Sequence, residues 1–413
     1  MREVKDSGIA WVGTMPTNWD VKRGKFTLRL LNRPLEETDE VITCFRDGEV
    51  TLRRNRREDG FTVSLKEIGY QGIEPGDLVI HGMDGFAGAI GISDSRGKSS
   101  PVLVVCDSSE NKKYIMYYLR SMAYNDVFTA LATGIRVRSC DLRWNKLAEL
   151  PFILPSPDEQ DKIVEAIEIN IRKINTLIAN VQSQIEKLKA YKQSVITEIV
   201  TKGLDPTVPM KDSGVEWIGK IPVHWDVVKT GHLFKENNRK PLGNDTPLSL
   251  SQVDGLIATD DMKESSLKTS TYENWKRVEI GDLVLNRFKA HLGVLFAATL
   301  TGIVSFHYGV YEARRPLDPK FYEYLYHSDQ YRAILGNASN GMVVGLQNLS
   351  NLNFYSTYSL YPPYREQEAI VTYLDEKCSQ IGRLIAIKQA KIEKLEQYKK
   401  SLIYEYVTGK REI

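Results

Sequence analysis

The sequence predicts an α+β protein built from two tandem mixed α/β modules, each followed by a long helix. Three observations predict this class. The chain of 413 residues repeats itself once, at an offset of about 206 residues. Each copy contains short apolar runs bounded by turn residues, which are typical of buried strands. Each copy also ends in a stretch with helical periodicity, and the whole chain is too long for one ordinary hydrophobic core.

The repeat is visible in three segments. KDSGIAWVGTMPTNWDV at 5–21 matches KDSGVEWIGKIPVHWDV at 211–227 at ten of seventeen positions. The motif GDLV follows at 76–79 and again at 281–284, and each time it opens an apolar run that predicts a buried strand. The third pair is EQDKIV and EQEAIV, continued by the two IEKL segments. The chain is therefore one unit of roughly 206 residues written twice.

The segment after Pro155-Ser156-Pro157 has the pattern of a long amphipathic helix, because these prolines disfavour helix upstream of them. Apolar residues recur every seven positions, with further apolar residues beside them, and form one stripe: Ile167, Ile174, Val181, Leu188 and Val195, flanked by Ile171, Ile178, Ile185 and Ile199. The helix is predicted to end near Lys202, with Gly203 at the C′ position. About 44 residues at 1.5 Å each give a rod of about 65 Å.

The second copy repeats this helix after Pro362-Pro363. Its stripe contains Leu374, Ile381, Leu395 and Leu402, and Lys388 interrupts it. Since neither stripe is stable in water and the two lengths match, we expect the helices to pack together as an antiparallel coiled coil. A plain dimerisation coil is the alternative, and the large mixed module before each helix argues against it.

These signals predict four parts of the chain: modules at 1–156 and 204–363, and spacer helices at 157–203 and 364–413. The linker at 203–209 is short and stiffened by prolines, so the first helix is expected to end close to the start of the second module.

Composition excludes several classes of protein. Hydrophobic residues at 42% and charged residues at 26% are ordinary globular values. Lysine and arginine total 55 against 53 acidic residues, so bulk charge does not attract the chain to nucleic acid and any such case rests on local clusters. The four cysteines form no CxxC pair, which fits a reducing cytoplasm and no zinc site. Neither a signal sequence nor a membrane-spanning apolar run is present in the sequence.

The layout resembles the specificity (S) subunit of type I restriction-modification systems. The resemblance rests on the openings KDSGIAWVG and KDSGVEWIG, the run GIVSFHYGVY at 302–311, and the helix starts LPSPDEQDKIV and YPPYREQEAIV. It implies two target-recognition domains that bind double-stranded DNA, joined by two helices. It also implies two methyltransferase (M) subunits as partners, with S-adenosylmethionine in those subunits. Where a restriction (R) subunit exists, ATP and magnesium would belong to it.

The motifs that could carry catalysis are incomplete. Tyr361-Pro362-Pro363-Tyr364 lacks the amide or carboxylate that a methyltransferase needs at the first position to hold the flipped base. Gly97-Lys98-Ser99 has the wrong glycine spacing for a phosphate-binding loop, and a strand-like run follows it. The six histidines have neither an HExxH spacing nor an i, i+4 pair. We therefore expect no catalytic group, cofactor or metal in this chain.

The first module contains clustered residues suited to DNA. Its candidate DNA-binding residues are Arg53, Arg54, Arg56, Arg57, Asp84, Arg136, Arg138 and Arg143. Arginine pairs with guanine, and Asp84 could accept a hydrogen bond from a cytosine amine. Alternation at 135–138 directs both arginine side chains to one side of a strand. A solvated charged face is the alternative, because Asp47, Glu58 and Asp59 offset the first arginine run.

In the second module a polar loop follows the GDLV strand, and a second polar stretch lies among glycines at 337–347. The candidates are Asn286, Arg287, Lys289, His291, Asn340 and Gln347. The amide side chains there favour contacts with adenine. The paired tryptophans Trp11/Trp19 and Trp217/Trp225 occur in both copies and are assigned to packing, because residues that read different half-sites should differ.

Together these features predict a non-catalytic subunit that recognises a bipartite, asymmetric DNA site with a non-specific gap, one half for each module. Helix length is expected to set the gap, because readers on one face of B-DNA lie about one turn, roughly 34 Å, apart. Similar helix surfaces in the two copies suit two copies of one partner. The alternatives are a coiled-coil scaffold that binds proteins and a self-sufficient methyltransferase.

Overall fold

The computed structural model describes residues 2–56, 67–130, 142–262, 272–339 and 348–413. Its contacts divide the chain into two compact units, the first formed by Met1–Gln182 with Gln389–Ile413 and the second by Ser183–Lys388. Both dividing points fall inside the long helices, so each unit contains one module, half of one long helix and half of the other. The four-part division of the chain at 156, 203 and 363 stays a prediction.

The first unit is an α+β module with short strands. Its central sheet has four antiparallel strands in the order β4-β11-β8-β9, and four further pairs surround it: β1-β2, β3-β12, β5-β6 and β7-β10. The strands are β1 Val4–Asp6, β2 Thr14–Pro16, β3 Asp20–Arg23, β4 Arg29–Leu30, β5 Ile42–Cys44, β6 Val50–Leu52, β7 Gln71–Ile73, β8 Leu78–His81, β9 Ile90–Ile92, β10 Gly97–Ser99, β11 Leu103–Asp107 and β12 Pro151–Leu154. The helices are α1 Gly24–Thr27, α2 Lys112–Tyr124, α3 Val127–Ala130, α4 Trp144–Leu147 and α5 Pro157–Lys202, with 3-10 turns at Arg53–Asn55 and Gly85–Ala87.

The second unit has the same topology. Its central sheet has the order β16-β23-β20-β21, surrounded by the pairs β13-β14, β15-β24, β17-β18 and β19-β22. The strands are β13 Met210–Asp212, β14 Lys220–Pro222, β15 Asp226–Lys229, β16 Phe234–Glu236, β17 Leu248–Ser251, β18 Gly255–Ala258, β19 Lys276–Val278, β20 Leu283–Asn286, β21 Leu295–Ala297, β22 Gly302–Val304, β23 Tyr308–Ala313 and β24 Tyr358–Tyr361. The helices are α6 Pro319–Tyr326, α7 Asp329–Asn337, α8 Asn351–Ser356 and α9 Tyr364–Val407, with 3-10 turns at Thr230–His232, Thr259–Asp261 and Arg287–Leu292. The repeat in sequence is thus a repeat in topology.

The GDLV motif recurs because its aspartate anchors the central sheet. Asp282 is buried at the start of β20; one of its oxygens accepts the Glu279 amide at 2.8 Å and a guanidinium hydrogen bond from Arg239 at 2.6 Å. Burial raises the pKa of Asp282, against the lowering effect of Arg239. Asp77 makes the equivalent bonds to Arg33 and to a backbone amide. A buried carboxylate needs such partners to remain charged.

In each module one tryptophan contacts the start of a long helix. Trp19 and Trp225 are buried, as the packing assignment predicts. The Trp19 indole N–H donates to Glu159 at 3.1 Å, and the Trp225 indole donates to Glu366 at 3.0 Å. These glutamates lie in the first turns of α5 and α9, where a negative charge also interacts favourably with the helix dipole.

The long helices pack antiparallel in each unit, as the sequence predicts. In the first unit Lys399 of α9 donates to Asn175 of α5 at 3.3 Å. In the second unit Lys388 donates to Gln184 at 2.6 Å, so the residue that interrupts the α9 stripe bonds the facing helix. The predicted α5 stripe is buried or half-buried along its length: Ile167, Ile174, Val181 and Ile185 are buried, and Ile171, Ile178, Leu188, Val195 and Ile199 are half-buried.

Each long helix ends against a module tryptophan. Gly203, directly after α5, has φ +77°, and a Cβ there would lie 2.8 Å from Glu366 and 3.3 Å from Trp225. Gly409, after α9, has φ +71°, and a Cβ there would lie 3.2 Å from Trp19 and overlap Pro16. Left-handed backbone and close approach both favour glycine at these two positions.

Alanine at either glycine should destabilise the protein. We expect Gly203→Ala and Gly409→Ala each to lower the free energy of unfolding by about 1–3 kcal/mol, because a side chain meets both backbone strain and the packed indole. Urea and thermal unfolding followed by circular dichroism measure this change.

Gly382→Ala is the matched control, because Gly382 lies inside α9 and a Cβ there meets nothing within 4 Å. Alanine should be neutral or stabilising there by up to about 1 kcal/mol. Equal stability of all three variants would contradict the packing of the helix ends on the tryptophans.

Candidate nucleic-acid interface

The first module contains an open polar cleft of about 1100 Å³. The cleft lies beside the β5–β6 hairpin, the turn after β8 and the turn before β11. Three of the sequence candidates, Arg53, Arg56 and Asp84, line it together, although Asp84 is some thirty residues away in the chain. Arg46 and His81, which the sequence reasoning did not single out, line it as well.

The arginine side of the cleft is held by local contacts. The guanidinium of Arg56 lies 4.2 Å from the centroid of the Phe45 ring and donates to Asp47 at 2.7 Å, with Glu49 at 3.2 Å. The Nε of Arg53 donates to the Thr43 hydroxyl at 3.3 Å. Stacking on an aromatic ring and a carboxylate contact restrict the rotamers of Arg56, so the cation is already oriented before a ligand arrives.

The cleft lining also contains a carboxylate and an imidazole. Arg46 donates to Asp84 at 2.9 Å, and the His81 Nδ1 accepts the Asp84 backbone amide at 2.9 Å. Burial lowers the pKa of His81, against the opposing effect of Asp84, so the ring is neutral at pH 7. With Nδ1 accepting, the neutral ring carries its proton on Nε2, which lies 3.8 Å from an Asp84 oxygen.

The cleft therefore combines guanidinium donors with carboxylate acceptors in one place. Phosphate binding needs only cations, whereas base edges in the major groove present both donors and acceptors. Arginine matches guanine, and a carboxylate matches the amine of cytosine. The side chains of the cleft suit recognition of bases as well as contact with the DNA backbone.

Two further first-module candidates, Arg54 and Arg143, are not among the residues that line the cleft. Arg54 pairs with Glu40 at 2.5 Å and is not among the residues that line the cleft. Arg143 precedes α4, and its neighbour Leu142 donates its amide to the Gly82 carbonyl at 3.0 Å, which brings this segment beside the Asp84 turn. Three candidates, Arg57, Arg136 and Arg138, fall outside the described residues and stay predictions.

In the second module two candidates are part of the fold. Asn286 is buried, and its side-chain oxygen accepts the Phe288 amide at 3.1 Å, which caps the 3-10 turn Arg287–Leu292. The Arg287 guanidinium is largely buried and donates to Glu236 at 2.5 Å and to Asn351 at 2.8 Å. These contacts orient the turn from beneath.

Glu236 is the centre of this network. Lys276 donates to it at 2.6 Å, in addition to Arg287 and Asn351. Although burial raises its pKa, these partners hold the pKa of Glu236 below its ordinary value. Its charge therefore persists near neutral pH and keeps the turn in position.

The exposed face of the same turn differs from its buried side. Lys289 is exposed and His291 is half-buried. Beside them lie two aromatic residues that the sequence reasoning missed, Phe288 on the turn and Phe306 before β23. In a sequence, an apolar residue beside a strand is normally assigned to the hydrophobic core, so no sequence pattern identified Phe288 and Phe306 as surface residues. Asn340 and Gln347 fall outside the described residues and stay predictions.

Equivalent positions of the two modules carry opposite charges. The β5–β6 hairpin is followed by the turn Arg53–Asn55, whereas its counterpart β17–β18 is followed by Thr259–Asp261, which contains two aspartates. Three residues after the end of β8 stands Asp84, and three residues after the end of β20 stands Lys289. The backbone is shared, but the chemistry of these surface turns is inverted.

Across the residues that the structure describes, no group of three histidine, cysteine or acidic side chains could hold a metal ion. Within the same ranges, none of the helices combines the length and apolar character needed to span a bilayer.

Comparison with known proteins gives a consistent set of relatives, although no family model matches the chain. A putative type I restriction enzyme specificity subunit of Methanocaldococcus jannaschii is 21% identical, over 97% of this chain and 95% of that protein. A chain from a type I restriction-modification system, solved in a study of complex assembly and conformational transition, has a TM-score of 0.69 at 13% identity and covers 96% of this chain and 99% of its own.

The crystal structure of the HsdS subunit from Thermoanaerobacter tengcongensis has a TM-score of 0.53 at 14% identity, over 96% of this chain and 98% of that one. The expected resemblance is therefore confirmed: the chain has the fold of type I restriction-modification specificity subunits, and a curated homologue matched over 95% of its length is described as a putative type I restriction enzyme specificity subunit.

Proposed function

We propose that this chain is the DNA-recognition subunit of a type I restriction-modification complex and that each module reads one half of a bipartite, asymmetric DNA site. The observation that carries the proposal is the inversion of charge at equivalent turns on a shared backbone. Arg53 and Arg54 correspond to Thr259 and Asp260, and Asp84 corresponds to Lys289. The homologues are described as specificity subunits, which supports the same role.

The inversion argues for an asymmetric site. Two modules with equal surface chemistry would select equal half-sites. A turn with arginines favours guanine and phosphate, whereas a turn with aspartates repels phosphate and accepts hydrogen bonds from base amines. The two halves of the site should therefore differ in sequence.

Exposed residues on the long helices argue for the binding of two copies of one partner. Leu177 and its repeat Leu384 are each 48% exposed, and Tyr191 and its repeat Tyr398 are 50% and 46% exposed. Large apolar side chains that stay exposed at matching positions of both copies are not explained by packing within the chain. Each unit carries one such leucine and one such tyrosine, so we assign the two surfaces to two methyltransferase subunits.

The chemistry is assigned to those partners. The methyltransferase subunits would bring S-adenosylmethionine and act on a flipped adenine, and a restriction subunit, where present, would use ATP and magnesium. This chain would select the DNA and hold its partners over it, in the cytoplasm.

Removing the cleft arginines should affect the first half-site alone. For Arg53→Ala and Arg56→Ala we expect relaxed or lost base preference in that half, at about 1–3 kcal/mol for each base contact removed. Methylated adenines are mapped across host DNA after co-expression with the methyltransferase subunit, with and without this chain.

Arg29→Ala is the matched control, because Arg29 is exposed, pairs with Asp107 and is not among the residues that line the cleft. It should leave both halves of the motif unchanged. The assignment would be contradicted if the Arg53→Ala and Arg56→Ala variants lost base preference in the second half-site, or if they kept full preference in the first. Binding of the chain to duplex DNA should also weaken steeply as the salt concentration rises, whereas a protein scaffold would show no such dependence. Methyl transfer by the isolated chain would instead indicate a self-sufficient methyltransferase.

A charged residue in place of either repeated leucine should prevent the binding of one partner subunit. In Leu177→Asp or Leu384→Asp we expect one bound methyltransferase subunit in place of two, and none in the double variant, because an exposed apolar contact is replaced by a desolvated carboxylate. Native mass spectrometry counts the subunits.

Leu352→Asp is the control for this series, since Leu352 is 77% exposed on α8 and its place in the first module is taken by Asn145. That variant should retain two partner subunits. Two subunits retained by the double variant would refute the assignment of the helix surface.

A further inference from the structure

The second module exposes a cluster of three rings at the surface turn that follows β20. The ring centroids of Phe306 and His307 lie 3.8 Å apart, with their planes tilted by 38°. Phe288 lies against the same imidazole at 5.4 Å. Phe288 is 39% exposed and Phe306 is 51% exposed. We call Phe288, Phe306 and His307 the ring cluster.

Exposed rings in a group call for an explanation. Burial of a phenylalanine stabilises a fold by roughly 1.5–3 kcal/mol, so solvent exposure of two at one point is unfavourable for the isolated protein. The cluster joins two segments eighteen residues apart, the turn after β20 and the turn before β23, and these strands are neighbours in the central sheet. The sheet therefore holds the rings together.

The location matches the cleft of the first module. Counting from the equivalent strands, Phe288 corresponds to Met83 and His307 to Val102, and both of those residues line the cleft. Lys289 is exposed on the same turn, next to Phe288, and provides a cation near the rings. A cation beside an apolar patch suits DNA, where phosphates border the base edges.

The cluster is not repeated in the first module. Met83, Pro101 and Val102 stand where the second module has its three rings. A surface for a partner that binds both copies should be shared, as the exposed leucines and tyrosines of the long helices are. A surface that differs at equivalent positions belongs instead to the recognition of half-sites that differ.

We propose that the ring cluster recognises thymine in the second half-site through the 5-methyl group. This inference rests on the proposed function and specifies the base that one module reads. The thymine methyl is the apolar group that B-DNA presents in the major groove, and phenylalanine is among the side chains that contact it. Because the rings already pack on each other, little side-chain freedom is lost on binding.

The mutual packing of these rings favours contact at the base edge over insertion between base pairs. A wedge that unstacks bases is an apolar side chain projecting into the base step. Phe306 instead packs against His307, so the two rings together present a broad surface. Contact with a methyl group at the edge of a base needs no unstacking.

The test removes the methyl group alone. After the recognition site of the wild-type complex with its methyltransferase partner is mapped, synthetic duplexes carry uracil in place of each thymine, one at a time. At one thymine of the second half-site, uracil should weaken binding about fourfold, the factor expected for one buried methyl group. In Phe306→Ala and Phe288→Ala the thymine and uracil duplexes should bind equally.

Two controls accompany this cycle. Phe26→Ala removes a phenylalanine that is 72% exposed in the first module and should keep the full difference between thymine and uracil. Uracil in the first half-site should have the same effect on wild type and on the Phe306→Ala variant, which also reports that the variant is folded.

Three results would overturn the proposal. They are a second half-site without thymine, wild-type binding that ignores uracil there, and variants that keep the wild-type difference. Variants that weaken binding to both duplexes equally keep that difference, so they belong to the third result and would indicate insertion. If the wild-type chain directs no bipartite methylation at all, the proposed function has failed, and that outcome is visible before any uracil duplex is used.

Discussion

The joint between each tryptophan and the long helices is the interaction on which the rest of the structure depends. In the second unit Trp225 packs beside Gly203 at the end of α5 and donates to Glu366 at the start of α9. In the first unit Trp19 does the same with Gly409 and Glu159. One indole therefore fixes the end of one helix and the beginning of the other, and it fixes the register in which the two apolar stripes meet.

Much of the fold could be predicted from the sequence, because its signals are local and occur twice. Helical periodicity over some forty residues specifies a helix whatever packs on it, and the proline and glycine positions mark its ends. The strand order could not be predicted, since most strands have three or four residues and pair with distant segments. The partnership of Arg33 with Asp77 is similarly invisible, because the two residues belong to different turns.

The candidate site was predicted in part. The arginine run at 53–56 supplies part of the cleft lining, but only the fold brings Asp84 into the same cleft. Arg287 and Asn286 look like free polar residues in the sequence, yet a buried Glu236 and a capped turn determine their contacts. Residue type indicates which groups can bind a base, whereas burial determines which of them face outward.

The first unit is formed by two segments that are distant in the chain, so it cannot be completed until the whole chain has been synthesised. Leu402, Ile403 and Val407 are buried in the core of the first module, and the Tyr114 hydroxyl donates to the Val407 carbonyl at 3.1 Å. A ribosome makes these residues more than two hundred positions after the rest of that core. The first module therefore exposes an apolar surface on the ribosome until the second module has been synthesised. Nonsense mutations near residue 400 would destabilise the first module, although its own coding region lies at the opposite end of the gene.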